Sequence, residues 1–147
     1  MIMINNNTKK RILLVDDECD IALAFKIGLE DNGFIVDVFN DPEIATSNFK
    51  CDLYDLLLLD IKMPKLNGIE FYYHMKEIDK KVKVCFITAS EIYYYKQITE
   101  EIFTLLGARC MFRKPIKLED LVNALRKELG LIYSNNKKNI GTHSFYL

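Results

Sequence analysis

The sequence has no tryptophan and only two histidines, His74 and His143. Histidines so few and so scattered exclude a His-based metal centre. Cys19, Cys51, Cys85 and Cys110 are spread along the chain without a Cys-x-x-Cys pair. That spread argues against a disulfide scaffold, and the expectation is four reduced cysteines in or near a core. Charge of one sign is also lacking. A formal net charge of −1 gives no electrostatic case for nucleic acid or for an anionic membrane surface. No apolar run approaches the roughly 18–20 residues of a membrane span. The richest stretch, Leu53 to Leu59, is interrupted by Asp55. Met1 to Ile4 is too short and too uncharged for a signal peptide. A cytoplasmic protein is expected.

What is present suits one folded domain. Half of the 147 residues are hydrophobic and 28% are charged, too apolar for disorder and long enough to bury a core. The expected organisation is a flexible N-terminus over 1–8, a domain over 9–132, and a polar, loose tail over 133–147.

Within the domain, apolar runs of strand length alternate with segments of helical period. The runs are Ile12–Val15, Phe34–Phe39, Leu56–Leu59, Val82–Ile87 and Met111-Phe112. Ile21, Phe25, Gly28 and Leu29 mark the apolar face of a first helix, and Asn32-Gly33 stops it. Asp41-Pro42 opens a second as cap and first residue, burying Ala45 and Phe49. Phe71, Met75 and Ile78 mark a third. Ile98, Ile102 and Leu105 mark a fourth. Leu118, Leu121, Leu125, Leu129 and Ile132 mark a fifth. Five strands alternating with five helices predict an α/β fold, a doubly wound five-stranded parallel sheet with right-handed crossovers. The all-leucine third strand suits a central position buried on both faces. Ligands in such sheets bind beyond the carboxyl ends of the strands.

The strand ends carry the chemistry. The first ends in Asp16-Asp17, the third in Asp60, the fourth in Thr88 and the fifth in Lys114-Pro115. Each has an ordinary reading alone: helix cap, turn residue, cap or loop punctuation. Together they bring three carboxylates, a hydroxyl and an amine to one edge. Three converging carboxylates call for a hard cation, and Mg²⁺ suits an oxygen-rich site open to water and phosphate. A central carboxylate is then a nucleophile toward phosphorus, and a lysine and a hydroxyl stabilise the phosphoryl oxygens.

Leu14-Val15-Asp16-Asp17-Glu18, Leu58 to Pro64, Asn67-Gly68, Ile87-Thr88-Ala89, Gly107-Ala108 and Lys114-Pro115 together resemble the receiver domain of two-component response regulators. The resemblance covers roughly residues 9–132. It implies a flavodoxin-like fold with strand order 2-1-3-4-5, and a receiver that stands alone, as in chemotaxis regulators. It implies Asp60 as phosphoacceptor, with Thr88 and Lys114 serving the phosphoryl group. It implies Asp16, Asp17, Asp60 and the backbone carbonyl of Lys62 as the metal site for Mg²⁺, for which Mn²⁺ can substitute. The Lys114-Pro115 bond is expected to be cis. The implied donor is a sensor histidine kinase or a histidine phosphotransfer protein. The implied output surface is the fourth helix, fifth strand and fifth helix, facing another protein or a second copy. Turnover is expected to be at most slow self-phosphorylation and self-dephosphorylation, so the domain signals and is not an enzyme.

Three features depart from the family pattern. Met111 stands where an aromatic residue is usual, while Phe112 has the opposite strand parity and faces the core. The segment from Thr88 to Gly107 is long, with the extra length around Glu91 to Gln97. Arg113 adds a cation beside Lys114. The Tyr93-Tyr94-Tyr95 run reads as either partly core or a partner surface. Two rivals stand beside the receiver. An aspartate-nucleophile phosphohydrolase would carry Asp-x-Asp on the first strand, where this chain has an adjacent pair. A phosphate-independent adaptor would need none of the site residues. Ser144 to Leu147 is apolar enough to dock somewhere, although the rest of the tail is polar.

Overall fold

The computed structural model describes residues 8–89, 100, 104, 107–131 and 144–146. The elements are β1 (Arg11–Val15), α1 (Cys19–Asp31), β2 (Ile35–Phe39), α2 (Pro42–Asn48), β3 (Leu56–Asp60), α3 (Gly68–Ile78), β4 (Lys83–Thr88), β5 (Cys110–Arg113), α4 (Leu118–Glu128) and β6 (Ser144–Tyr146). Five parallel strands lie in the expected order 2-1-3-4-5, and β6 continues the sheet beyond β5.

The leucine run explains why β3 is central. Leu56, Leu57, Leu58 and Leu59 are all fully buried. Burying each stabilises the fold by about 1.5–3 kcal/mol relative to exposure. The period of 2 then divides them between two layers. Leu57 and Leu59 face α2 and α3 with Phe71, Met75 and Phe86, whereas Leu56 and Leu58 face α1 and α4 with Phe25, Leu121 and Leu125. The α1 and α4 helices touch closely. A Cβ on Gly28 would lie 2.3 Å from the end of the Leu118 side chain, which would have to turn aside to admit it.

Several expected positions shift. Ile78 was grouped with Phe71 and Met75, yet it is 45% exposed and Tyr72 is buried instead. The buried stripe of α3 runs through Gly68, Phe71, Tyr72 and Met75 to Asp79, and at about 100° per residue Ile78 falls on its flank. Leu118, at the start of α4, is likewise exposed at 38%. Cys85 and Cys110, expected as thiols, form a disulfide with Cα atoms 4.7 Å apart. They are direct partners in the β4–β5 register, a neighbourhood that spacing along the chain does not reveal. Cys19 and Cys51 are free and exposed. The tail is not wholly loose, because Ser144–Tyr146 pairs in parallel with Cys110–Phe112. Phenylalanine and tyrosine favour strands, and the pairing covers an edge that would otherwise present free backbone groups.

The fourth expected helix, the Tyr93-Tyr94-Tyr95 run, Ile132 and His143 lie outside the described residues. So do Met1 to Ile4 and most of the tail. Glu100 and Thr104 are helical and exposed. Among the described residues no helix is long and apolar enough to cross a membrane.

Candidate functional site

The carboxyl ends of β1, β3, β4 and β5 converge as expected. Their register places Val15 beside Leu59, Asp60 beside Ile87, and Thr88 beside Arg113. Asp16 directly follows β1, and its backbone is fixed from both sides. Its N–H donates to the Phe39 carbonyl at 3.2 Å, and its carbonyl accepts from Asn40 Nδ2 at 2.8 Å. Asp60 closes β3. The loop beyond it is tied back by Ile61 N–H to the Ile87 carbonyl at 3.1 Å and Gly68 N–H to the Ile61 carbonyl at 2.9 Å. Asn67 caps α3 by accepting from Glu70 N–H, as its polar side chain before a helix predicts. Gly68 is required by space. A Cβ there would sit 2.1 Å from the Asp60 carbonyl oxygen. The start of α3 is thus packed against the backbone of Asp60.

Asp16, Asp60 and Thr88 are buried, and Asp17 is half-buried. Carboxylate oxygens of Asp16, Asp17 and Asp60 lie within 4.8 Å of one another. Lys114 is the cation among them. Its Nζ lies 3.0 Å from Asp16 Oδ2, 3.4 Å from Asp60 Oδ2 and 2.9 Å from Glu18 Oε1. Lys114 N–H donates to the Thr88 carbonyl at 2.8 Å, and the Lys114–Pro115 bond is cis. The Thr88 hydroxyl donates to the Ala89 carbonyl at 3.3 Å. Lys62 is exposed in the loop two residues after Asp60.

Among the described residues, the Lys114 ammonium is within ion-pair distance of Asp16, Asp60 and Glu18, with Asp17 alongside. Burial first, then the facing Asp16 carboxylate, pushes Asp60 up to about 7, while Lys114 pulls it down. Burial works against the Lys114 charge, but the Glu18 and Asp16 carboxylates outweigh it and raise its pKa. Asp16 Oδ2 is buried and accepts no hydrogen bond among the described residues. The nearby Lys114 ammonium is within ion-pair distance of it but not aligned on it. A buried carboxylate oxygen without a hydrogen bond is costly unless something else satisfies it. A divalent cation with oxygen preference fits this oxygen and the raised Asp60 together. The cluster can therefore hold a metal ion.

Two contributors had no role in the sequence reading. Glu18 forms an ion pair with Lys114, and Asn40 anchors the Asp16 backbone. Glu18 follows the Asp pair directly, so its position was visible, but its 96-residue separation from Lys114 hid the contact. Met111 is fully buried with Tyr72, Met75 and Phe86, and Phe112 packs in the opposite layer, as their parity predicted.

The model of the response regulator receiver domain matches residues 12–126. The chain is 33% identical over 120 residues to the response regulator receiver protein CpdR of Brucella abortus, covering 82% of this chain and 97% of that protein. It is 32% identical over 128 residues to the transcriptional regulatory protein DltR of Streptococcus agalactiae, covering 85% of this chain and 55% of that one. The chain thus spans about half the length of DltR and of several other curated relatives. Among solved structures, the non-phosphorylated HemR receiver domain from Leptospira biflexa superposes with a TM-score of 0.76 at 26% identity, covering 87% of this chain and all of that one. A receiver domain from Clostridium thermocellum superposes with a TM-score of 0.68 at 27% identity, covering 83% and 95%.

Proposed function

The chain belongs to the response regulator receiver family, a phospho-accepting signalling family, and we propose that Asp60 is its acceptor. The observation that carries this is the position of Asp60 at the end of the central strand. There it is buried between Asp16 and Lys114, with Lys114 Nζ 3.4 Å from its Oδ2. An Asp60 carboxylate oxygen attacks phosphorus on a donor phosphohistidine. The P–N bond breaks, the imidazole leaves with its electron pair and takes up a proton, and an acyl phosphate remains. Lys114 offsets the negative charge on the phosphoryl oxygens, and the Thr88 hydroxyl turns from Ala89 to donate to one of them.

Asp16, Asp17, Asp60 and the Lys62 carbonyl would hold Mg²⁺, or Mn²⁺ in its place. The cation, when bound, neutralises charge on the acceptor and the transferred group. A groove of about 520 Å³ runs beside Lys114, lined by Ile21, Phe25, Pro115 and Ile116. It is apolar and open, and gives a histidine-bearing donor, a sensor kinase or a phosphotransfer protein, a place to rest against the site. Turnover is limited to slow self-phosphorylation and self-dephosphorylation. The setting is cytoplasmic, the domain covers about 9–132, and output passes through a protein-binding surface of the fourth expected helix (Ile98, Ile102 and Leu105, outside the described residues), β5 and α4.

Intact mass after incubation with acetyl phosphate and Mg²⁺ tests this. The expected result is a gain of one phosphoryl group, about 80 Da, that needs Mg²⁺ and is absent in Asp60→Asn. Retention of the gain in Asp60→Asn would move the acceptor elsewhere. No gain, with a phosphorylated kinase as donor as well, would favour a phosphate-independent adaptor.

A further inference from the structure

The last strand is joined to its neighbour in an unusual way. The step from β1 to β2 runs one way across the sheet, with α1 on one face. The steps from β2 to β3 and from β3 to β4 run the other way, with α2 and α3 on the opposite face. These steps share one hand, that of the ordinary right-handed crossover. The step from β5 to β6 runs in the same direction as β3 to β4. Its helix, α4, instead packs with α1 on the other face. Within a single chain this connection is left-handed, whereas about 98% of parallel crossovers are right-handed.

A strand arriving from another molecule is under no such constraint, because no crossover joins it to the β5 it meets. The backbone pairing is the same in both cases: Ser144, Phe145 and Tyr146 opposite Cys110, Met111 and Phe112. Residues 132–143 reach at most about 40 Å when extended, enough to hand the strand to an adjacent copy. We propose that the outer edge of β5 is a strand-docking site, filled in solution by residues 144–146 of a second copy, so that two chains exchange their last strands.

The exchange is reciprocal and closes as a two-fold dimer, leaving neither β5 edge open. A short connection gives an effective concentration on the order of millimolar. Any cost of the left-handed path lowers it, so exchange competes with the internal pairing below about a millimolar. The surface lies on β5, whose neighbour β4 ends in Thr88. The strand also leads into Lys114 of the acidic site, but the test of the docking edge needs no phosphate.

Sedimentation velocity on the unphosphorylated full chain reads the proposal directly. The expected result is monomer at about 5 µM and predominantly dimer at several hundred micromolar. In Phe145→Pro, proline takes away a backbone donor and restricts the strand at its centre. That variant is expected to stay monomeric throughout while still accepting phosphate from acetyl phosphate. An unaltered chain that is monomeric at every concentration overturns the proposal. A dimer that persists in Phe145→Pro also overturns it, because another face then holds the copies together. Should the variant fail to fold, a mixture of ¹⁵N- and ¹³C-labelled unaltered chains decides. Contacts between residues 110–112 and 144–146 across differently labelled copies support exchange. Contacts only within one copy mean the strand docks at home and exchange is wrong.

Discussion

The two ends of the sheet treat charge in opposite ways. Toward the amino end, where β1 starts and β3 is entered, Asp37 gathers three donors on one carboxylate oxygen. Its Oδ2 accepts from Arg11 Nε at 3.0 Å, Arg11 Nη2 at 2.8 Å and the Tyr54 hydroxyl at 2.8 Å. Arg11 also lies over the Tyr54 ring. One cation, one anion and one hydroxyl close a small network that ties the edge strand β2 to β1 and to the entry of β3. Asp79, buried at the start of the turn after α3, is likewise satisfied by the backbone N–H groups of Asp52 and Lys81. At the carboxyl end the Lys114 ammonium faces several carboxylates, and among the described residues an oxygen of Asp16 is left without a hydrogen bond. Charges that serve the fold are matched locally. Charges held for chemistry are left with an excess of one sign, which a cation and a phosphoryl group can answer.

Substitutions at the two ends sharpen this contrast. The largest effect belongs to Gly68→Ala. The new Cβ would meet the Asp60 carbonyl, which is backbone and cannot swing aside. A loss of about 2–4 kcal/mol is expected by chemical denaturation, together with weakened phosphate acceptance.

Next come two matched changes with opposite signs. Asp37→Asn breaks a satisfied, partly exposed pair and is expected to cost about 1–2 kcal/mol. Asp60→Asn relieves repulsion with Asp16 and is expected to stabilise the metal-free protein by about 1–3 kcal/mol at neutral pH. The sign follows from linkage. Asp60 is raised in the folded state from an ordinary value of 3.8 to about 7. The folded state binds more protons between these values, so native stability falls as pH rises through that window. The advantage of Asp60→Asn should be absent near pH 4, grow across the window and level off above pH 7. Equal signs for the two variants would break the contrast.

The smallest effect is expected from Lys65→Ala. Lys65 pairs with Asp41 at 3.1 Å and Glu43 at 3.7 Å, but its side chain is 57% exposed. A change within about 0.5 kcal/mol is expected.

Much of this was legible in the sequence because it depends on local pattern. The Leu56 to Leu59 run marks a strand buried on both faces. Asp41-Pro42 marks a helix start, and Asp41 does accept from Glu43 N–H. The polar residues ending apolar runs mark one sheet edge once the alternation implies parallel strands. What was not legible depends on side-chain reach or register. Glu18 meets Lys114 only after β1 and β5 are placed. Cys85 and Cys110 become partners only through the β4–β5 register. Ile78 keeps a helical spacing with Phe71 and Met75, but the buried stripe is centred nearer Tyr72 and Met75 and leaves Ile78 on its flank. Residues 144–146 looked like tail because a three-residue strand carries no period to detect.

The excess of negative charge at the carboxyl end is tested most directly by Mg²⁺ affinity at two pH values. Titration calorimetry on the unphosphorylated protein at pH 6 and pH 8 measures it. A proton on Asp60 near pH 7 must leave before its oxygen can bind a cation. Affinity should be roughly tenfold weaker at pH 6 than at pH 8, with proton release on binding, and Asp60→Asn should lose most of that difference. The same affinity at both values, or no binding at either, would contradict a site built to be completed by a cation.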